Sequence, residues 1–98
     1  MTRTRQLAEP AQLTGGGRVE LRLDPSSPLV RYEARWFTAE GEFSGHAVLD
    51  ENGEALVEGN GAPAWLLDWT AALLRLIARD HAAGSPWPRR LTRWRQPH

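Results

Sequence analysis

The side-chain pattern of this chain changes period once, and that change limits the folds open to it. Residues 17–58 alternate apolar and polar side chains, which is typical of strands with one buried face. In residues 63–83 apolar side chains instead recur every three or four positions, the spacing of one helix face. Gly59-Asn60-Gly61 separates the two regions. We therefore expect a sheet followed by one long helix.

Turn-forming residues divide the alternating region into four predicted strands. Asn52-Gly53 separates the last two, and this pair tolerates the positive φ angles of a tight hairpin. Because the connections are short, consecutive strands are expected to pair as an antiparallel meander. The predicted strands are residues 17–24, 29–38, 42–50 and 54–58; their expected core face carries Val19, Leu21, Tyr32, Ala34 and Trp36, while Phe37, His46 and Val48 fall on the other face.

A single helix is predicted from Pro63 to Ala83. Proline suits the first turn because its missing N–H has no helical partner there, and Gly84 suits a C-terminal cap. The apolar stripe is wider than one packing face needs, so we expect the C-terminal segment or another chain to cover its flank. The predicted packing face holds Trp65, Leu66, Trp69, Ala72, Leu73, Leu76 and Ile77, and the flank holds Leu67, Leu74 and His81.

Residues 86–95 hold four of the twelve arginines and two of the five tryptophans. Pro86 and Pro88 favour an extended chain because their φ angle is already restricted. We expect this segment to fold back as a fifth strand or a strap, with Leu91 buried and the arginines directed outward. The predicted fold class is therefore α+β: a four-stranded antiparallel β-meander, one long helix packed on one face, and a short C-terminal strand or strap, in the order β-β-β-β-α-β.

The first sixteen residues are polar, lack a period and end in a glycine run. We expect a flexible N-terminal tail over residues 1–16 and a single α+β domain over residues 17–95. Arg3 and Arg5 are not followed by the apolar run of a secretory signal peptide. The apolar stretches are also far shorter than the roughly 20 residues of a membrane span. The expected location is the cytoplasm, with no membrane contact.

The formal net charge is zero, but the charges are segregated along the chain. Residues 1–38 carry six arginines and four acids, residues 39–68 carry seven acids and no base, and residues 69–98 carry six arginines and one acid. Every basic side chain is an arginine, which is typical of GC-rich genomes, and we expect a bacterial source. Arginine also suits interfaces, because its planar group is weakly hydrated and binds bidentately.

No catalytic or metal-binding pattern stands out in the sequence. There is no cysteine, and His46, His81 and His98 lack the spacing of metal ligands. Gly59-Asn60-Gly61 lies between a strand and a helix but lacks the lysine and hydroxyl of a phosphate-binding loop. We therefore predict a non-enzymatic protein without catalytic residues, metal or cofactor.

Two binding functions of different classes fit these features. The first is protein–protein interaction, with an unidentified protein or a second copy as partner, because arginine and tryptophan are enriched at interface centres. The alternative is single-stranded nucleic-acid binding through the C-terminal arginines and tryptophans. The zero net charge and the acidic block disfavour that alternative. The candidate surface comprises Trp87, Arg89, Arg90, Arg93, Trp94 and Arg95, together with Leu67 and Leu74 of the helix flank.

Overall fold

The computed structural model describes residues 16–96 and contains one antiparallel sheet with one helix packed on it. The predicted α+β class and the element order β-β-β-β-α-β are confirmed. The predicted N-terminal tail lies outside the described residues, apart from Gly16. The elements are β1 Gly17–Leu23, β2 Val30–Thr38, β3 Gly41–Leu49, β4 Ala55–Gly59, α1 Ala64–Ala82 and β5 Arg90–Arg95, and the strands lie in the order β4-β3-β2-β1-β5.

Short connections join the first four strands into a meander. In the turn between β3 and β4, the Asp50 carboxylate accepts hydrogen bonds from the backbone N–H groups of Asn52 and Glu54 at 2.8 and 2.9 Å. Gly53 has a φ of +80°, the left-handed conformation for which glycine is suited. The Asn-Gly pair therefore has the hairpin role predicted for it.

The C-terminal segment forms a full strand at the far edge of the sheet. β5 pairs antiparallel with β1, so that Leu91 lies beside Leu21. Two hydrogen bonds hold its beginning: the Tyr32 hydroxyl donates to the Pro88 carbonyl at 2.7 Å, and the Leu23 N–H donates to the Arg89 carbonyl at 2.9 Å. β1 is thus an internal strand, and β4 and β5 are the two edges.

The sheet side of the core follows the alternation in the sequence. All five residues predicted for it, from Val19 to Trp36, are at most 2% exposed. Trp36 is the largest of them, and Gly59 on β4 leaves room for its ring, since a Cβ at Gly59 would lie 2.7 Å from the Trp36 Cζ3 atom. The strand alternation therefore predicted this layer correctly.

The helix is rotated relative to the predicted packing face. Its buried residues are Leu66, Thr70, Leu74 and Ile77, whereas Trp65 and Leu76 are 37% and 48% exposed. Thr70 lies in the centre of this row because its hydroxyl accepts a hydrogen bond from the Trp36 indole N–H at 2.7 Å. Because a polar residue stands in the buried row, the apolar residues of the sequence mark a face that is rotated from the one that packs on the sheet.

The rotation corrects the reading of the helix flank. Leu74 is fully buried in the core, so the prediction that it lies on a flank beside the packing face is wrong. Leu67 is half-buried and lies beside β4. α1 packs over β3 and β4, which leaves the other face of the sheet uncovered by it.

Candidate binding surface

The sheet face opposite α1, here called the open face, carries side chains in rows that cross the strands. Because paired residues of adjacent strands point to the same side, the register defines these rows. From β5 towards β4, the first row is Trp94, Arg18, Phe37 and Glu42; the second is Thr92, Glu20, Arg35 and Ser44; the third is Arg90, Arg22, Glu33, His46 and Glu58; and the fourth is Arg31, Val48 and Leu56.

Arg18 lies between two aromatic rings in the first row. Its guanidinium carbon is 4.2 Å from the centre of the Phe37 ring and 5.2 Å from the centre of the Trp94 ring. These distances lie within the range of cation–π attraction. Its Nε atom is shielded from solvent and has no hydrogen-bond partner within the described residues, although the Glu20 carboxylate lies 3.5 Å away. The three side chains form a stack, called here the Trp94–Arg18–Phe37 stack.

Ion pairs neutralise most of the charge in the middle of the open face. The Arg31 Nε atom lies 3.1 Å from the Glu33 carboxylate. The His46 Nε2 atom lies 3.2 Å from the Glu58 carboxylate, a contact that is an ion pair only when the imidazole is protonated. Arg35 binds Glu42, and this hydrogen bond raises the pKa of the Arg35 guanidinium. Since these pairs are exposed to solvent, they add little to stability. Their main effect is to cancel charge.

Two neighbouring arginines lie on the β1–β5 side of the open face. Arg22 and Arg90 are direct neighbours across β1 and β5. Neither forms an ion pair with any residue of the described part of the chain. Beside them is a shallow depression of about 340 Å³, lined also by Arg35 and by the carboxylates of Glu20 and Glu33. Like charges on directly opposite residues repel each other, so an acidic group of a partner would relieve the repulsion between Arg22 and Arg90.

The edge strand β5 offers backbone groups for pairing. Arg89 bonds to β1 through its carbonyl, and hydrogen bonding alternates along an antiparallel strand. The N–H and C=O groups of Arg90, Thr92 and Trp94 therefore point away from β1. The Arg93 guanidinium donates to the Thr92 carbonyl at 2.9 Å, which satisfies one of these outward acceptors.

The opposite edge, β4, is shorter and acidic. Asn60 and Glu54 are bonded to the β3 side, through the Asn60 N–H and the Glu54 carbonyl. By the same alternation, Ala55 and Val57 direct their backbone groups outward. A groove of about 320 Å³ runs between this edge and α1, lined by Leu67, Asp68 and Ala71 of the helix.

The structure distributes the predicted surface residues over several places. Arg90 and Trp94 lie on the open face, whereas Arg93 and Arg95 lie on the helix side of β5. Trp87 is half-buried and stacks on His81, with ring centres 4.1 Å apart. Arg89 is exposed just before β5, Leu67 lines the groove beside β4, and Leu74 is buried.

Sequence reasoning missed the arginines that complete this surface. Arg18 and Arg22 lie on β1, far from the C-terminal segment in sequence, and only strand pairing brings them to Trp94 and Arg90. Phe37 was placed on the correct face by alternation, but its partner was not predictable. Their positions show that the surface is a product of the sheet register.

Other observations bear on the classes of function. Within residues 16–96, no three histidine, cysteine, aspartate or glutamate side chains lie together as a set of metal ligands. The one helix in that range is too short or too polar to cross a bilayer. No protein-family model, curated protein or solved structure matches this chain. The chemistry of the surface is therefore the basis for proposing a function.

Proposed function

We propose that this protein is a non-catalytic interaction module that binds a protein partner through β5 and the adjoining side of the open face. The observation that carries this proposal is the Trp94–Arg18–Phe37 stack. Trp94 is 45% exposed, and its neighbour Arg18 is held between two rings. Tryptophan and arginine are the residues most enriched at interface hot spots, and a side chain that is already ordered loses less entropy on binding.

The charge pattern supports a protein partner over a single-stranded nucleic acid. Phosphate-binding faces are usually rich in basic groups and poor in acids, whereas this open face pairs arginines with carboxylates in its middle rows. Arg18 also occupies one face of each of the two rings, a face on which a base would otherwise stack. A mixed surface of this kind suits a partner that itself carries both charged and apolar groups.

The proposal is tested with substitutions in the stack. A partner captured by cross-linking in the source cells is purified and its affinity measured by calorimetry. Trp94→Ala and Arg18→Ala are each expected to weaken that binding by about tenfold or more. The matched control is Arg75→Ala, because Arg75 is exposed on α1, away from the sheet. Equal affinity of all variants would contradict the proposal.

A second measurement separates the nucleic-acid alternative. Fluorescence anisotropy of a labelled single-stranded oligonucleotide is recorded with the purified protein at low and high salt. We expect no saturable binding. Tight binding that falls steeply with salt and is lost in Trp94→Ala would instead establish nucleic-acid recognition.

A further inference from the structure

The two edges of the sheet carry opposite charge. Arg89 and Arg93 flank Leu91 at the β5 edge, and Glu54 and Glu58 flank Leu56 at the β4 edge. Since neighbouring strands are about 4.8 Å apart, four spacings separate these edges by about 19 Å. The molecule therefore presents complementary strands on opposite sides.

We propose that β5 of one copy adds as a strand to β4 of a second copy. This inference deepens the proposed function, on which it rests, by naming the partner as the same protein. The segment Arg89-Arg90-Leu91-Thr92-Arg93 runs antiparallel to Glu54-Ala55-Leu56-Val57-Glu58. The resulting neighbours are Arg89 with Glu58, Arg90 with Val57, Leu91 with Leu56, Thr92 with Ala55, and Arg93 with Glu54.

The backbone groups agree with this register. Arg90 and Thr92 direct their N–H and C=O groups outward from β5, and Val57 and Ala55 direct theirs outward from β4, so the groups that face each other are the free ones. On strand addition, the Thr92 carbonyl gives up the hydrogen bond from the Arg93 guanidinium and accepts one from the backbone of the added strand. Arg93 is then free to bind Glu54.

The side chains agree as well. Leu56 is 55% exposed, the most exposed large apolar side chain of the described residues. In the proposed register it packs on Leu91, which is itself only partly buried. Opposite charges on both sides of this leucine pair then fix the register.

Facing residues of adjacent strands must point to the same side of the sheet, and this condition orients the second copy. Arg90 lies on the open face, whereas Val57 lies on the helix side of its own sheet. The second copy is therefore turned over, with its helix above the open face of the first. Its Asp68, which lines the groove beside β4, comes to the side that carries Arg22 and Arg90.

The charges disfavour the symmetric alternatives. Pairing β5 with β5 brings arginines against arginines, and pairing β4 with β4 brings acids against acids; like charges directly opposite each other are destabilising. Pairing β5 with β4 is heterologous, so an assembly of any length keeps an unpaired β4 at one end and an unpaired β5 at the other. It produces a chain of copies that lengthens with concentration rather than a closed dimer.

The test is sedimentation velocity on the purified full chain over a wide range of concentration. We expect the average sedimentation coefficient of the unmodified protein to rise with concentration and to reach no plateau at a dimer. The double variants R89E/R93E and E54R/E58R should each remain monomeric. An equimolar mixture of the two should associate again, because every junction then brings opposite charges together. R75E is the matched control and should behave like the unmodified protein.

T92P tests the backbone pairing separately from the charges. Proline removes an outward N–H that the β1–β5 pairing does not use, so the edge strand tolerates it but cannot accept an added strand. We expect T92P to lose association while its melting temperature stays close to that of the unmodified protein. The charge-reversal mixture still decides the matter if T92P fails to fold.

The outcomes separate this inference from the proposed function. A protein that is monomeric at every concentration, or a mixture that does not recover association, overturns strand addition between copies. The proposed function then still stands if Trp94→Ala and Arg18→Ala weaken a different protein partner. If those variants change no interaction and the copies do not associate, both are wrong.

Discussion

At the scale of single residues, one polar side chain organises the core. Thr70 is fully buried, accepts a hydrogen bond from the Trp36 indole and donates its own proton to the Leu66 carbonyl at 2.8 Å. Both hydrogen-bonding groups of the hydroxyl are thus used, which makes its burial acceptable. The same bond orients the Trp36 ring at the centre of the sheet layer.

Replacing Thr70 with valine tests this role. Valine has nearly the same shape but leaves the buried Trp36 N–H without an acceptor, so we expect unfolding to become easier by about 1–3 kcal/mol. Denaturant titration monitored by tryptophan fluorescence measures the change. Thr70→Ser is the control, because it keeps the hydroxyl and should recover part of the loss. Equal stability of Thr70→Val and the unmodified protein would show that the bond contributes nothing.

The rotation of α1 makes a second residue-scale prediction. Leu74→Ala removes a fully buried side chain and should cost about 2–5 kcal/mol. Leu76→Ala removes an equal volume from a position that is about half exposed, and it should cost under about 1 kcal/mol. Thermal or urea unfolding of the two variants compares them directly. A larger loss for Leu76→Ala would mean that the helix packs on the face first predicted from the sequence.

At the scale of elements, β5 is joined to the rest of the fold by strand pairing and, just before the strand begins, by a side-chain hydrogen bond from Tyr32. The Tyr32 hydroxyl donates to the Pro88 carbonyl, and the prolines on either side of Trp87 keep the approach to the strand extended. Burial raises the pKa of Tyr32 from its ordinary value of 10.0 to about 12. The native state therefore holds the phenolic proton at pH values where the unfolded chain has lost it.

This difference predicts how stability changes at alkaline pH. Below pH 10 both states hold the proton and Tyr32 adds no pH dependence; as the pH rises from 10 to about 12, the free energy of unfolding should fall. Tyr32→Phe should cost about 1–2 kcal/mol at neutral pH and should show a shallower alkaline decline. Urea titrations at several pH values measure both effects. An equally steep decline in Tyr32→Phe would assign the alkaline loss to other groups.

At the scale of the whole molecule, the acidic and basic residues are separated along the chain, and the meander places them at opposite edges of the sheet. The acidic block of residues 39–68 forms β3, β4, their turns and the start of α1. The last arginines lie in or just before β5, at the other edge of the sheet. Arginines on an edge strand also discourage pairing with a like edge. The arginines of β5 thus disfavour pairing with another basic edge and favour a partner with an acidic edge.

The salt dependence of self-association follows from this arrangement. The proposed pairs between β5 and β4 involve exposed side chains, and raising the ionic strength from 0.1 M to 1 M shortens the screening length from about 10 Å to about 3 Å. Association of the unmodified protein should therefore weaken several-fold as salt is added, by light scattering or sedimentation. Stronger association at high salt would point to an apolar contact that does not use the charged edges.

The local pattern of side chains determined the strands, the helix and the α+β class. Alternation and three-to-four-residue spacing are properties of short segments, so they are visible before any contact between distant residues is known. The sheet layer from Val19 to Trp36, the turn at Gly53 and the outward position of Phe37 were all predictable in this way.

Only the tertiary structure decided which edge β5 joins, which row of α1 is buried and which charges lack a partner. Leu91 and Trp94 did not indicate whether β1 or β4 would be their neighbour, because that choice depends on how the helix crosses the sheet. Thr70 is a polar residue, so the sequence did not indicate that it is buried; its hydrogen bond with Trp36 makes that burial possible. The candidate surface arises where strands far apart in sequence become neighbours, and the packing of the whole chain sets those neighbours.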